Sequence, residues 1–349
     1  TPDNEVDVST PLNETTLLHE YSLRGQGSIL LEQAADEVPV LKPIALMGQA
    51  TAIYAPPNSG KTLAALHLAA QAVSNGRVNP DRFFYINVDD TSRGLAEKTL
   101  LAEKYGFHML SEGYEEFRSG NFLLLLKQMC HEGNVVGVVI VLDTAKRFTD
   151  LMDKRQTSEF TRVVRFFISL GGTMIIIAHV NKKKGDNGRS IHAGTSDMVD
   201  DVDCAYVIDV VDSGESTGTK IIAFNNIKRR GSVPDKVSFS YKVGPNVTYA
   251  EMLESVTEVD AETVSAVSTA KDLKSDSEHI EAVNGRIREG DAMKGDLVKA
   301  LQQHTLLSRN KAIELVDKYS HPDAVKRLWG YTQADRRTKI YFILTDKKD

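Results

Sequence analysis

The fold of this chain is decided by the stretch Ala55-Pro56-Pro57-Asn58-Ser59-Gly60-Lys61-Thr62, which joins an apolar run ending at Tyr54 to a segment with helical spacing. A strand, a turn and a helix start in this order predict a loop whose N–H groups point inward at phosphate oxygens. The helix beginning near Gly60 adds the positive end of its dipole. We expect Lys61 to reach the β- and γ-phosphates and the Thr62 hydroxyl to bind Mg²⁺.

The loop departs from the phosphate-binding consensus at its first position, where Ala55 stands in place of a glycine. Glycine there normally supplies conformational freedom and close approach. The half that would touch phosphate and metal, 59–62, is intact. An ordinary lysine-bearing helix start after a Pro-rich turn is the alternative interpretation. The residues predicted to bind ATP are Pro57, Asn58, Ser59, Gly60, Lys61 and Thr62.

Length and composition are those of a globular protein. The 349 residues suffice for one large core with an appendage or for two domains. Hydrophobic residues make up 41% and charged residues 26%, which is neither disordered nor fibrous composition. The two cysteines, Cys130 and Cys204, cannot make a disulfide framework, and no CxxC or His-x-x-His cluster suggests structural zinc. This pattern fits a reducing cytoplasm.

Neither a membrane span nor a secretory signal is expected. The longest apolar runs, such as 135–142 and 173–178, are too short to cross a bilayer and suit buried strands. Residues 1–14 are polar and acidic, with no basic n-region or apolar h-region. We therefore expect a cytoplasmic protein with no membrane partner.

Charge divides the chain. The net charge of −6 argues mildly against a protein that coats nucleic acid. Residues 251–290 hold 10 acidic and 4 basic side chains, whereas 291–349 hold 12 basic and 8 acidic ones. An acidic strip followed by a basic tail indicates a domain boundary, and the tail alone has a balance typical of nucleic-acid binding.

From about residue 49 to 245, short β-branched runs alternate with segments of helical period, which predicts an α/β fold with a mainly parallel sheet. The predicted strands are 50–54, 82–88, 137–142, 173–178, 204–210 and 220–224. The predicted helices are 61–72, 93–105, 121–130 and 158–170.

The last hundred residues have a different pattern. The stretch 251–277, dense in Glu, Asp, Ser, Thr and Ala, has no clear period and is interpreted as a mobile linker. Beyond it we predict a helix over 294–304, a second running to Tyr319 with Ser308 as N-cap, and a short third over 323–328. Gly330, a charged turn at 335–337 and a strand over 339–344 then predict a hairpin. This order resembles a winged helix.

Carboxylates follow two of the predicted strands. The run 138–142 ends in Asp143, which can complete a magnesium shell at the γ-phosphate. The run 83–88 ends in Asp89 and Asp90, and we expect it to lie next to the strand that leads into the phosphate loop. Hydrolysis needs a base or a water-orienting group there, and we assign Asp89 to this role. Asp90 or Thr91 is better suited to capping the next helix.

His179 and a basic segment follow the fourth predicted strand. His179 has donors suited to the γ-phosphate, although a structural histidine is the alternative. A solvated charge run is the default interpretation of the cations downstream, yet their place would let DNA contact depend on the bound nucleotide. The predicted DNA-binding residues are Lys182, Lys183, Lys184 and Arg189.

These features in this order resemble the RecA-like ATPases, and among them the hexameric plasmid and phage replicative helicases of the RepA and DnaB type. The resemblance covers roughly residues 20–245. It is supported by Gly194-Thr195-Ser196 with Asp200 and Asp203 downstream, and by the strand-end segment Phe224-Asn225-Asn226-Ile227-Lys228-Arg229-Arg230-Gly231.

The resemblance implies a bacterial, phage or plasmid protein that binds ATP with Mg²⁺ between the subunits of a ring, typically a hexamer, on single-stranded DNA. It implies that Lys228 and one of Arg229 or Arg230 act on the γ-phosphate of the adjacent subunit, although an exposed basic turn is the alternative. The chain would divide into an N-terminal arm (1–20), a RecA-like P-loop ATPase core (21–250), an acidic flexible linker (251–290) and a winged-helix-like domain (291–349) that contacts DNA or a replication protein.

Two other functions fit the same motifs. One is a RecA-like recombinase or recombination mediator that forms a filament on DNA. The other is a nucleotide-switched DNA-binding regulator in which slow hydrolysis acts as a timer. Ring particles with strand displacement favour the helicase, open filaments favour the recombinase, and tight binding to one DNA sequence favours the regulator.

Overall fold

The structure is a computed structural model that describes residues 17–34, 37–90, 92–149, 153–179, 196–290, 292–333 and 338–344. Most of the predicted N-terminal arm lies outside these residues. So do the four residues predicted to bind DNA, Lys182, Lys183, Lys184 and Arg189. Within the described segments, every helix is too short or too polar to cross a lipid bilayer.

The described helices are α1 (Gly27–Ala34), α2 (Lys61–Ser74), α3 (Ser92–Tyr105), α4 (Phe122–His131), α5 (Lys154–Ser169), α6 (Ser196–Asp201), α7 (Tyr249–Glu254), α8 (Ala261–Ser275), α9 (Ser277–Arg288), α10 (Lys294–Thr305) and α11 (Arg309–Ser320). The described strands are β1 (Pro39–Leu41), β2 (Ala45–Leu46), β3 (Ala50–Ala55), β4 (Phe83–Asn87), β5 (His108–Leu110), β6 (Val139–Asp143), β7 (Thr173–His179), β8 (Cys204–Asp212), β9 (Thr219–Lys228), β10 (Lys236–Lys242), β11 (Thr257–Val259), β12 (Trp329–Gln333) and β13 (Lys339–Ile343).

Nine of these strands form one mostly parallel sheet in the order β11-β10-β9-β8-β3-β7-β6-β4-β5. Neighbours from β8 to β5 are parallel, and those from β8 to β11 are antiparallel. The α/β fold predicted from the sequence is therefore confirmed. One expected neighbour is wrong, because β7 and β6 lie between β3 and the strand β4 that leads to Asp89. Neighbours along the chain need not be neighbours in a doubly wound sheet.

Helices cover both faces of the sheet, because the central strands present apolar side chains on both sides. Ile53 of β3 belongs to one hydrophobic cluster, packed with α2 and α3. Its neighbour Tyr54 belongs to the other, packed with α4 and α5. Successive strand residues point to opposite faces, so an unbroken apolar run fills both clusters at once. All six residues of β3 are buried.

The predicted irregular linker is wrong at the level of secondary structure. Residues 251–290 contain the end of α7, the edge strand β11, and the helices α8 and α9. In α8 one residue, Val264, is buried, so the helix lacks the wide apolar stripe that reveals a helical period. Helix α9 does carry a stripe, Ile280, Val283 and Ile287, which the acidic composition obscured. The domain boundaries themselves stay a prediction.

The C-terminal helices pack around a third hydrophobic cluster. Trp329 is fully buried in it, and its indole N–H donates to Asn284 of α9 at 2.9 Å. The predicted helices over 294–304 and up to 319 are α10 and α11, and Ser308 caps α11 as predicted. The predicted helix over 323–328 is wrong: those residues form turns and bends that lead into the β12–β13 hairpin. A six-residue segment next to Pro322 is too short to sustain a helix without stronger packing.

Candidate nucleotide site

The predicted phosphate loop joins β3 to α2. It contains two left-handed residues, Asn58 with φ 57° and Gly60 with φ 97°. Gly60 is the N-cap of α2, and no side chain caps the first N–H groups of that helix. Uncapped N–H groups at a helix N-terminus, with the dipole behind them, attract an anion. Ala55 ends β3 in extended conformation, so the glycine of the consensus is not needed at that position.

Thr62 and Asp143 converge, as predicted for the magnesium site. The Thr62 hydroxyl donates to Asp143 Oδ2 at 2.6 Å across 81 residues of sequence. Tyr85, which the motifs did not reveal, donates its hydroxyl to the same oxygen at 2.9 Å. Burial raises the pKa of Asp143, although the hydrogen bonds from Thr62 and Tyr85 and the charge of Lys61 oppose that shift. The carboxylate is thus 4% exposed and held by two hydroxyl donors.

Lys61 is the first residue of α2 and lies within electrostatic reach of both predicted carboxylates. Burial lowers the pKa of its ammonium, while Asp143 and Asp89 oppose that shift. A partly desolvated cation facing two carboxylates suits a phosphate-binding lysine, because a bound anion would restore the solvation that burial removes.

Asp89 lies in a cluster of basic side chains after β4, β6 and β7. Its carboxylate contacts Lys146 Nζ at 2.9 Å and Arg147 Nε at 3.4 Å, and His179 Nε2 lies 3.9 Å away. Partial burial alone would raise the pKa of Asp89, but the hydrogen bonds and charges of Lys146 and Arg147 outweigh it and lower the pKa. Asp89 is therefore an anion at neutral pH, and the two cations follow directly on the Asp143 strand.

His179 is placed at the end of β7, near Asp89 and Lys61. Burial lowers its pKa, and the charges of Lys61 and Lys146 add to that effect. Its Nδ1 is buried and has no hydrogen-bond partner among the described residues. A neutral imidazole at this position can donate one hydrogen bond to a ligand oxygen.

Asp90 has a different role from Asp89. It accepts hydrogen bonds from Asn87 Nδ2 and from Lys98 Nζ, a lysine of α3 that is 8% exposed. The Lys98 ammonium also lies 5.3 Å from the centre of the Tyr249 ring. The predicted capping role for Asp90 is thus replaced by a buried ion pair, which fixes the turn that carries Asp89.

Two further residues reach the phosphate loop from the β9–β10 hairpin. Lys220 Nζ donates to the Asn58 carbonyl oxygen at 2.5 Å, and the Tyr241 phenol lies against Gly60. They line a cavity of about 440 Å³ beside the start of α2. No motif contains either residue. The alternation of polar and apolar residues over 236–242 is the one signal that could have predicted strand β10 and hence Tyr241.

The predicted trans-acting cations lie at the opposite edge of the sheet. Arg230 pairs with Asp203 at 2.8 Å, and Asp203 accepts from the N–H of Ala50, where β3 begins. Lys228 donates to the carbonyl oxygens of Val199 and Asp200 at 2.8 and 2.5 Å. The two ends of β3 are roughly 17 Å apart, since a strand rises about 3.3 Å per residue. These cations are therefore remote from the phosphate loop of their own chain.

Arg229 differs from its neighbours in being tied only to the surface. It pairs with Asp235 at 2.7 Å, and the Asp235 side chain is 83% exposed. Exposed pairs of this kind contribute little to stability. The three cations predicted to act together are thus held by three different partners in this chain.

The donor set at the loop fits a nucleotide and Mg²⁺. Ser59 Oγ in the loop is buried and lacks a hydrogen-bond partner, as expected of a group that faces a ligand. The described residues hold no cluster of three or more His, Cys, Asp or Glu able to bind a metal by themselves. A hydroxyl and one carboxylate suit Mg²⁺, which takes its remaining ligands from phosphates and water.

Sheet order, loop and converging carboxylate together define the RecA-like P-loop fold class. Among solved structures, the chain is similar to that of an ATPase domain, with a TM-score of 0.49 and 13% sequence identity, over 68% of this chain and 99% of that one. No protein-family model matches the sequence, and no curated protein matches it.

Proposed function

We propose that this chain hydrolyses ATP with Mg²⁺ and works as a ring-forming motor on single-stranded DNA, as a replicative helicase of a plasmid, phage or other mobile element. The proposal rests on one observation above all: the Thr62 hydroxyl and Asp143 meet at 2.6 Å beside an uncapped helix N-terminus. A hydroxyl, a carboxylate and a cation arranged in this way suit a metal-bound triphosphate.

Each residue has a definite part in this proposal. When bound, MgATP supplies the γ-phosphoryl group that is transferred to water. Lys61 and the loop N–H groups hold the phosphates, and Thr62 and Asp143 hold the metal. His179 donates a hydrogen bond toward the γ-phosphate from the neighbouring strand.

Asp89 orients the attacking water in this scheme. Because Lys146 and Arg147 lower its pKa, its carboxylate stays ionised and is a weak base. It therefore acts as a hydrogen-bond acceptor that positions water, and protons leave through the phosphate and solvent. Positioning of this kind accounts for much of the catalysis in phosphoryl transfer.

Assembly and DNA contact complete the motor. Lys228 and Arg230, at the edge of the sheet remote from their own loop, would serve the nucleotide of a neighbouring copy. Lys182, Lys183, Lys184 and Arg189 would contact DNA phosphates, so binding would weaken with salt. The three helices and hairpin of the C-terminal part suit a winged-helix-like unit that contacts duplex DNA or a replication protein.

A nucleotide-switched regulator is the second candidate. It is favoured by the two cations on Asp89, because a carboxylate engaged at 2.9 Å by Lys146 is less free to orient water, and slow hydrolysis would follow. Tight binding to one DNA sequence, with turnover that DNA does not stimulate, would support this function over the motor.

The test measures ATP turnover of the full chain with and without single-stranded DNA, together with displacement of a labelled strand. Lys61→Ala should reduce turnover to background, whereas Lys236→Met, an exposed lysine on β10, should leave it unchanged. Electron micrographs with a non-hydrolysable ATP analogue and DNA should show rings. Turnover that survives Lys61→Ala would remove the site, and open filaments would replace the helicase by a recombinase.

A further inference from the structure

Lys220 contacts the phosphate loop from a distant part of the chain. It lies at the start of β9, 162 residues from Asn58, and its ammonium donates to the Asn58 carbonyl oxygen at 2.5 Å. Asn58 is left-handed, a conformation that L-residues other than glycine adopt rarely. Some contact must hold such a residue, and Lys220 makes one to its own carbonyl group.

Tyr241 supports the same loop two residues further on. It is the cross-strand partner of Lys220 in the β9–β10 ladder and is 4% exposed. A Cβ atom added to Gly60 would lie 2.1 Å from the Tyr241 hydroxyl oxygen. The phenol therefore packs directly behind the glycine that begins α2, so one rung of the hairpin contacts both left-handed residues of the loop.

The contact at Asn58 controls the direction of a peptide plane. The carbonyl of Asn58 and the N–H of Ser59 belong to one rigid unit and point in opposite directions. A cation on the carbonyl therefore fixes where the Ser59 N–H points. The two ends of the loop are covalently fixed by β3 and α2, but this central peptide is free to rotate unless a side chain holds it.

We propose that Lys220 is a positioning residue for the nucleotide phosphates: it fixes the Asn58–Ser59 peptide, with Tyr241 packed behind Gly60 as the second support. The inference rests on the proposed function, since it assigns a role at the same phosphate loop. Lys220 acts through the loop backbone, whereas Lys61 contacts the phosphates themselves.

Removal of the ammonium has a characteristic kinetic consequence. The loop holds the phosphates in both the ground state and the transition state, so a misplaced peptide weakens both alike. In Lys220→Met we expect the KM for ATP to rise about tenfold while kcat changes less than about twofold. A general loss of folded protein would do the opposite, lowering kcat at constant KM.

The experiment compares Lys220→Met, Lys220→Arg and Lys236→Met in the full chain. Lys236 is the matched control, an exposed lysine at the other end of the same hairpin. Affinity is measured with a fluorescent ADP analogue and Mg²⁺, and thermal unfolding reports folding. We expect Lys220→Met to bind about tenfold more weakly, Lys220→Arg to stay within about threefold of wild type, and Lys236→Met to bind normally.

The outcomes separate this inference from the proposed function. If wild type binds the ADP analogue and Lys220→Met binds equally well, Lys220 has no positioning role, while the nucleotide site stands. If Lys220→Met loses affinity and Lys220→Arg does not recover it, the contact is not the cause and the inference is again wrong. If wild type itself binds no nucleotide, the proposed function fails and this inference fails with it.

Discussion

The Asp143 carboxylate is buried, yet both of its hydrogen bonds come from neutral hydroxyls, those of Thr62 and Tyr85. Hydroxyl donors compensate a buried negative charge less well than a cation at the same distance would. The side chain therefore retains affinity for a positive partner. A metal ion supplies that partner, which is the physical reason that a site of this kind binds Mg²⁺ rather than remaining a closed hydrogen-bond pair.

Asp143→Asn should reduce ATP turnover by about 100-fold or more, because the metal loses its protein carboxylate. The same variant should be more stable than wild type at pH 7 without nucleotide. The sign follows from burial, which raises the pKa of Asp143 in the folded state: ionisation costs stability above the folded pKa and costs nothing below the unfolded pKa.

Thermal unfolding of both proteins from pH 3.5 to 7.5 measures this effect, and the gap should close below about pH 4, where the wild-type carboxyl is protonated in both states. A wild type that is the more stable protein at pH 7 would contradict the burial argument. Retained Mg²⁺-dependent turnover in Asp143→Asn would contradict the metal assignment.

Asp89 and Asp90 are adjacent but face different partners, which separates their expected phenotypes. Asp89→Asn should lower kcat by about 100-fold and leave nucleotide affinity and thermal stability nearly unchanged. Asp90→Asn should instead destabilise the chain by about 3 kcal/mol, because it leaves the buried Lys98 ammonium without its carboxylate. Urea unfolding and turnover per folded molecule measure the two effects. The reverse pattern would exchange the roles of the two residues.

At the scale of single elements, the sequence was most informative where strands are buried on both faces. The runs that became β3, β6 and β7 are apolar throughout and end in the polar residues that form the site, so a few motifs located most of it. Tyr85 could not be assigned in this way, since nothing in a buried strand distinguishes a core tyrosine from one that meets Asp143. Lys220 is harder still, because its contact joins residues with no local relation.

Errors concentrated where helices bury little surface. Helix α8 is defined by its Asp260 N-cap, whose carboxylate accepts from Thr263 N at 2.7 Å, and by one buried valine. Acidic and small residues in such a helix have the composition of a linker. Strand β10 carries a strict two-residue alternation and was predictable, whereas the three residues of β11 are too few to form a pattern.

One junction between elements gives a pH prediction. Asp276, between α8 and α9, accepts from Lys318 Nζ at 2.8 Å and from the Tyr319 hydroxyl at 2.7 Å on α11. Burial alone would raise the pKa of Asp276, but these contacts outweigh it and lower the pKa. A depressed carboxyl pKa contributes stability above the unfolded value of about 4, and that contribution is lost as the pH falls through the folded value.

Asp276→Asn should therefore destabilise the chain by about 1–2 kcal/mol at pH 7 and by progressively less below pH 4. Urea unfolding followed by the fluorescence of Trp329, the single tryptophan, reports on this part of the chain. Asp323→Asn serves as the control, since that carboxylate is exposed and its contact with His321 lies on the surface. A loss that does not vary with pH would mean that packing, rather than charge, explains the effect.

At the scale of the whole molecule, strand β9 connects two sites. Its first residues contact the phosphate loop of the same chain through Lys220, and its last residue is Lys228, at the opposite edge of the sheet. A head-to-tail ring places opposite edges of neighbouring subunits together. In such a ring, each copy of β9 would run from its own nucleotide to that of its neighbour.

Lys228→Met should bind nucleotide almost normally and yet lose about 10³-fold in turnover, as expected when a trans-acting cation is removed. Arg230→Ala is a poorer test, because Arg230 also neutralises the buried Asp203 and its loss would destabilise the fold. Lys228 contacts backbone carbonyls of α6 and leaves no charge unpaired when it is replaced.

Mixing distinguishes a shared site from one within a single chain. If Asp89 acts on the nucleotide of its own subunit and Lys228 on that of a neighbour, equal mixing of Asp89→Asn and Lys228→Met subunits restores about a quarter of the sites, because one interface in four combines both intact residues. Turnover of the mixture should then exceed that of either parent many-fold, with differently tagged subunits confirming co-assembly. A co-assembled mixture no more active than its parents would place Lys228 outside the catalytic site, and the ring would have to complete its nucleotide site with other residues.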